Sequence, residues 1–296
     1  MKRRLLTGLL SLALAGGMIL AVPGSVQAAS LKVTAASAEV PESVPLTAES
    51  AVLYDMNKKQ VVAEKNLQAK VEPGDLARLC ALLVACENIY SPADRVTITK
   101  DVQDAVRAQG GTNLFQPGET VSVQDLYYAT VLTGADDAVL ALGRKAAGSD
   151  AVFALLLNRK ANQLGLHNTR FANATGIPGQ GSYTSAEDAV ILTKAILTNK
   201  TAYSVLLADS WTIGATAQHP DGIQIGTNYK MGMNLMPVPG MDTFGDSFEA
   251  GGSYGALSMF TSWMGRPYLC VTLGSKSYEE SINDQANLFL SYIPGT

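Results

Sequence analysis

The apolar and polar positions fall into a regular pattern from Ser50 onward. Ala51-Val52-Leu53-Tyr54-Asp55 and Val61-Val62-Ala63-Glu64-Lys65 read as two strands joined by a turn over Met56 to Gln60. A helix follows from Leu76 to about Glu87, apolar on nearly every side, as expected of an element buried at a domain centre. Asp75 stands where an N-cap would accept hydrogen bonds from the first free N–H groups. Helical spacing recurs over Asp101–Arg107, Val123–Leu132, Asp136–Ala147 and Asp150–Leu164. Thr184 reads as the cap of a further helix running to about Leu197, with Glu187 as its capping-box partner. Trp211–Ile213, Tyr254–Trp263 and Pro267–Gly274 are strand-like, the last two joined by Met264-Gly265-Arg266, and Tyr278 to Tyr292 closes the chain as a helix. Strands at both ends with helices between them predict an α/β domain whose sheet brings the two ends of the chain together.

The pattern before Ser50 is different. Lys2, Arg3 and Arg4 precede an apolar run from Leu5 to Val22, and Val26-Gln27-Ala28 supplies a small-x-small cleavage site. Residues 1–28 therefore read as a secretory signal. Gly16 and Gly17, with Thr7 and Ser11, dilute the run relative to a membrane span. Residues 29–49, rich in Ala, Ser, Thr, Val and Pro without a period, read as a flexible leader, and residues 50–296 as one domain. The expected product is exported, at the cell envelope, with no stable membrane anchor once the signal is removed.

Charge narrows the partners. The chain carries 22 basic and 26 acidic residues, and removing the three basic signal residues takes the net charge from -4 to about -7. No basic cluster appears, which argues against nucleic acid. Cys80 and Cys86 lie six apart on one predicted helix, about 9 Å along its axis and on different faces, so they cannot pair without unwinding it. They read as small buried apolar residues, while a pairing of Cys270 with one of them stays open for an exported chain. His167 and His219, without nearby cysteines, do not suggest zinc, and no cofactor is expected. Gly251-Gly252 reads as a tight turn into the following strand, and Tyr127 and Tyr128 as core packing.

Four segments in a fixed order carry a resemblance: SAVLYDMNKKQVVAEKN, FQPGETVSVQDLYYATVL, LNRKANQLGLHNTRFANATGI and YTSAEDAVILTKAIL. Through them the chain, over about Ser50 to Tyr292, resembles the serine-type D-alanyl-D-alanine carboxypeptidases, the low-molecular-mass penicillin-binding proteins. The resemblance implies a penicillin-binding, β-lactamase-like transpeptidase fold: an antiparallel sheet flanked by helices, with a helical subregion around residues 90–175. Members often add a small β-domain and a membrane-associating C-terminal helix, and a chain ending at Thr296 is expected to lack both. The family removes the terminal D-alanine from cell-wall peptides through an acyl-enzyme. Its signature is Ser-x-x-Lys, a Ser-x-Asn element and Lys-Thr-Gly. Serine and lysine three apart share one helical face, and the lysine must be able to accept the serine's proton.

Carried over residue by residue, the signature is missing. The family's Pro-Ala-Ser-Leu-Thr-Lys aligns on Pro73-Gly74-Asp75-Leu76-Ala77-Arg78, which puts Asp75 at the nucleophile and Arg78 at the base. Arginine has no accessible neutral form and cannot be that base. Leu-Pro-Ser-Gly-Asn aligns on Leu132-Thr133-Gly134-Ala135-Asp136, so serine becomes Gly134 and asparagine Asp136. Gly-Val-Asp-Gly-Ile-Lys-Thr-Gly aligns on Gly240 to Ser247, so lysine becomes Gly245 and threonine Asp246. No serine elsewhere has a lysine three residues later, and Ser281-Ile282-Asn283 matches only by spelling, inside the terminal helix. Asp75, Asp136 and Asp246 are expected to gather beside Arg78. A carboxylate cluster of that kind could hold Ca²⁺ or Mg²⁺, but without an ordered ligand loop a cap neutralised by arginine is the simpler expectation. The cleft so formed should repel a free terminal carboxylate. The expected function is that of a catalytically inactive homologue that binds peptidoglycan stem peptides or an envelope protein. The alternative is a hydrolase of the same family with a non-standard site around Asp75.

Overall fold

A computed structural model describes Leu31 and residues 37–179, 181–227 and 244–293 of the chain. Its frame is a six-stranded sheet. The strands are β1 (Ala38–Glu39), β2 (Ser50–Asp55), β3 (Gln60–Lys65), β8 (Phe244–Ala250), β9 (Ser253–Thr261) and β10 (Pro267–Ser275), in the order β1-β3-β2-β10-β9-β8. Two short two-stranded sheets stand apart: β4 (Arg95–Thr97) with β5 (Thr120–Ser122), and β6 (Ser210–Ile213) with β7 (Ile223–Gly226).

All six residues of β2 are buried because this strand lies inside the sheet and both of its faces are covered. On one side Ala51 and Leu53 join Ala63, Phe260 and Cys270 against α8 (Tyr278–Tyr292), where Phe260 and Phe289 stack at 4.6 Å. On the other side Val52, Tyr54, Val61 and Val271 enter the main core with the helices. At its centre is α1 (Leu76–Asn88), whose residues from Leu76 to Ala85 are buried except for Arg78. Around it pack α3 (Val123–Leu132), α4 (Asp136–Ala147), α5 (Asp150–Leu164) and α6 (Ala186–Thr198), with α2 (Lys100–Ala108) against α4 and α7 (Lys200–Leu206) against α6.

The sheet is mixed rather than antiparallel throughout. Four pairings are antiparallel, but β1 runs parallel to β3, with Ala38 opposite Ala63 and Glu39 opposite Glu64. That edge strand comes from the segment expected to be a flexible leader. Residues 37–49 lie along the body, because buried Asp284 on α8 accepts from Thr47 N (2.8 Å), Thr47 Oγ1 (3.0 Å) and Ala48 N (2.8 Å). Ser275 Oγ donates to the same carboxylate at 2.7 Å. Composition predicted no order there because one carboxylate 236 residues away supplies it.

Two caps differ from expectation. The Asp75 side chain makes no capping bond and turns instead to Arg78. The cap of α6 is Ser185, whose hydroxyl accepts from Asp188 N, one residue beyond the expected Thr184. Thr184 Oγ1 pairs with Thr169 Oγ1, and Glu187 accepts from Leu31 N and Gln68 Nε2 instead of closing a capping box. The Gly251-Gly252 turn is as expected: Ala250 pairs with Ser253, and both glycines take positive φ (63° and 87°), which a two-residue hairpin turn requires.

Cys80, Cys86 and Cys270 are free thiols among the described residues, and Cys80 and Cys270 sit in different cores on opposite faces of the sheet. Burial pushes the Cys80 and Cys86 thiols up to about 12 and Cys270 well above its ordinary value. A colourless disulfide reagent at pH 8 should therefore titrate less than one thiol in the native chain and three after denaturation without reductant; a single thiol in denaturant would reveal a disulfide. Replacing Asp284 by Ala strands a buried N–H, a half-buried N–H and two hydroxyls. It should cost on the order of 3 kcal/mol, seen as a fall in thermal midpoint of about 6–12 °C.

Candidate functional site

The N-terminus of α1 opens on a cleft of about 430 Å³ between the sheet and the helical region. Asp75 and Arg78 form its floor. Gly134 and Asp136, at the start of α4, form one wall, and Phe248, Glu249 and Gly251, from β8 and its turn, form another. Gly110 to Thr112 and Gly176 to Pro178 close the rim. The structure thus brings together four of the six motif positions predicted from sequence: Asp75, Arg78, Gly134 and Asp136. Gly245 and Asp246 lie on β8, opposite Ser258 and Leu257 of β9, and only their backbone is described. Gly240 to Thr243 lie outside the described residues.

Arg78 organises the floor. Its position one turn after Asp75 turns both side chains to the same helical face. Nη1 contacts Asp75 Oδ1, and Nη2 donates to Asp136 Oδ1 at 3.0 Å. The three side chains are 14%, 18% and 3% exposed, so the guanidinium is largely withdrawn from water and needs both carboxylates. Asp136 is fixed in turn, since its Oδ2 accepts from Thr112 N at 2.8 Å and its own N–H donates to Thr112 O at 3.0 Å. Arg78 Nε is buried with no partner among the described residues.

Gly134 completes the arrangement. Its φ of +62° is left-handed, and a Cβ there would lie 3.3 Å from Arg78 Nη1 and 3.8 Å from Asp75 Oδ2. The guanidinium therefore occupies the space into which a side chain at 134 would project. Next to Asp136, Asp137 is fully buried and accepts from Leu114 N (3.1 Å) and Phe115 N (2.9 Å). Burial raises its carboxyl above the usual range against those bonds, so it serves as a brace for the rim.

The cleft offers little chemistry of the expected kind. Among the described residues, no serine, lysine, cysteine or histidine lines it. Ser281 lies in α8, with its hydroxyl donating to Tyr278 O, remote from the floor. One oxygen of each acid, Asp75 Oδ1 and Asp136 Oδ1, is taken by Arg78, and among the described residues no group of three or more His, Cys, Asp or Glu is placed to hold a metal ion. Phe248 is buried in the wall, against Gly74 and Gly255, and narrows the cleft without filling it.

Sequence reasoning missed three parts. Glu249 lends the wall its backbone carbonyl beside Gly74, and Thr112 holds Asp136 through its backbone; neither leaves a trace in residue type. The third is a buried pair outside the cleft: Glu119, fully buried, accepts from Gln116 N (2.9 Å) and Thr216 Oγ1 (2.7 Å) and pairs with His219 Nδ1 (2.7 Å). Burial pushes the Glu119 carboxyl up, but these bonds outweigh it and leave it below its ordinary value. His219 thereby fastens the loop between β6 and β7 to the body.

Comparisons with known proteins bear on the family and the fold. The sequence profile of the D-alanyl-D-alanine carboxypeptidases matches residues 33–253, well over half of the chain. The carboxypeptidase DacF of Bacillus subtilis is 29% identical over 151 residues, 51% of this chain and 39% of that protein. DacA of Escherichia coli K12 is 29% identical over 217 residues, 67% of this chain and 54% of its own. The chain thus spans about half the length of such relatives. Among solved structures, the Streptomyces K15 DD-transpeptidase superposes with a TM-score of 0.74 at 20% identity, over 84% of this chain and 97% of that one. Penicillin-binding protein 5 of Haemophilus influenzae gives 0.71 at 20% identity, over 83% and 71%. These identities speak to the fold, which is that of the penicillin-binding DD-peptidases.

The ion cluster makes a specific prediction. Arg78→Met leaves two acids without their cation and should destabilise the chain by about 3 kcal/mol, read by denaturant unfolding. Adding Asp75→Ser and Asp136→Asn removes the stranded charges and should recover most of that loss. Equal instability of the single and triple variants would show that Arg78 acts through packing alone.

Proposed function

Because the chain belongs to the D-alanyl-D-alanine carboxypeptidase family, we propose that it is an exported member that has given up acyl-serine catalysis and keeps the cleft for binding or regulation at the cell envelope. The observation that carries this reading is the closed Asp75–Arg78–Asp136 cluster at the position of the catalytic floor. An acyl-enzyme needs a hydroxyl nucleophile and a neighbour that can take its proton. Asp75 supplies no hydroxyl, and Arg78 holds its proton throughout the physiological range. Removing a nucleophile alone lowers rates by orders of magnitude, and here its base and the Ser-x-Asn element are replaced too.

The electrostatics favour a changed ligand as well. Arg78 is spent on Asp75 and Asp136, and the three groups together leave the floor with a net negative charge. A free terminal carboxylate would enter against that field. A peptidoglycan stem peptide held through its other groups, or an envelope protein, suits this cleft better than a terminal D-alanine. The basic residues and apolar run that open the chain support export.

Incubation with a fluorescent penicillin tests the reading. No covalent adduct should appear on a denaturing gel or by intact mass under conditions that label an active penicillin-binding protein fully. A penicilloyl adduct on this chain, or release of D-alanine from a pentapeptide that Asp75→Ala abolishes, would falsify it.

A further inference from the structure

Two hairpin turns leave the same end of the sheet side by side. The β2–β3 turn carries Lys58 and Lys59, and the turn between β9 and β10 carries Trp263, Met264 and Arg266. Their adjacency follows from the register: Asp55 pairs with Tyr268 in the last rung between β2 and β10, and Met56 N donates to Pro267 O at 3.1 Å. The four strands involved are consecutive in the sheet, so the two turns together span about 15 Å. Lys58, Lys59 and Arg266 are exposed, in a chain whose net charge is negative. Asp55, the acid nearest this end of β2, is buried and occupied by Asn57 N and Lys58 N.

The apolar side chains here are unusual. Trp263 is 70% exposed and Met264 53%, at the apex of a turn closed by Gly265 N to Ser262 O and Ser262 N to Arg266 O. Leu290, half exposed, comes to the same end on the last turn of α8, whose Phe289 lies edge-on to Tyr268. Water-exposed tryptophan and methionine on a protruding apex offer neither a concave surface nor the roughly 800 Å² per partner that a stable protein interface needs. A bilayer interface, which accepts a protruding tryptophan at headgroup depth and rewards flanking cations when the lipids are anionic, fits both features.

We propose that this end of the sheet is a contact site for an anionic lipid surface, with Trp263 and Met264 entering the headgroup layer and Lys58, Lys59 and Arg266 meeting lipid phosphates. The contact is peripheral and reversible, since two apolar side chains cannot act as an anchor. It also sets an orientation. The cleft residue Gly251 lies beyond the opposite end of β9, about 25–30 Å from the apex, so a docked molecule presents its cleft away from the lipid. This inference does not depend on whether the cleft is catalytic.

Tryptophan emission of the full chain reads the contact at the apex itself. The only other tryptophan, Trp211, is stacked on Tyr128 at 3.9 Å and donates to Asp125, and the apolar N-terminal run contains none. Vesicles of phosphatidylcholine with phosphatidylglycerol should shift the emission to shorter wavelength, and lipids brominated near the headgroup should quench it. Vesicles of phosphatidylcholine alone should do neither. Trp263→Phe should abolish the shift, and K58E/K59E/R266E should weaken partitioning by at least about 100-fold, the loss of three cations at about fivefold each. Quenching of the unaltered chain decides the matter if a variant fails to fold. Vesicle binding through another segment with Trp263 emission unchanged would overturn the proposal. So would a shift indifferent to charge reversal, or one that appears without lipid on self-association of the chain.

Discussion

A guanidinium withdrawn from water must be neutralised where it lies, and in this chain that requirement shapes the cleft. Arg78 is placed by the helix at the centre of the domain, so its charge cannot move to the surface. One carboxylate comes from the same helical turn and the other from the start of α4, across the junction between sheet and helical region. The absence of a side chain at Gly134 leaves room for the cation, and the backbone of Thr112 keeps the second acid in place. Four positions spread over about sixty residues of sequence thus form one unit in space. The scaffold tolerates it because the fold is held elsewhere, by a sheet packed on both faces and by α1 buried among its neighbours.

The same division explains how family membership can be legible while the cleft floor departs from the family's signature. The segments that match the carboxypeptidases lie largely in elements that build the core: β2, β3, α3, α5 and α6. Those residues are constrained by packing, which is indifferent to what the cleft does. The floor residues are constrained by charge balance and hydrogen bonding among themselves. They could be exchanged as a set while the core kept its form.

Much of this was legible in the sequence, and the failures have physical causes. Strong helical periodicity placed α3, α4 and α5 at their observed bounds, and the approach of Asp75, Arg78 and Asp136 followed from aligned positions. β1 went unseen because two residues carry no periodicity, and β7 because its pairing partner gives it its form. Asp75 looked like a cap because its type and place suit one, but a guanidinium three residues on competes more strongly for a carboxylate than a backbone N–H does. At α6 the chain offered Thr184 and Ser185 in succession, and only the tertiary bond between Thr184 and Thr169 decides between them. Glu119 and His219 stand 100 residues apart with no signal in either neighbourhood, so only the folded chain could pair them.

The closed cluster also bears on how such a chain can change over generations. Placing serine at 75 alone would leave Arg78 short of one counter-ion, and placing lysine at 78 alone would leave a shorter, single-point cation between two acids set for a planar fork. A serine at 134 alone would meet the guanidinium. Each single change is opposed by the three positions that stay as they are. The cluster therefore resists change one residue at a time and yields more readily to substitutions made together.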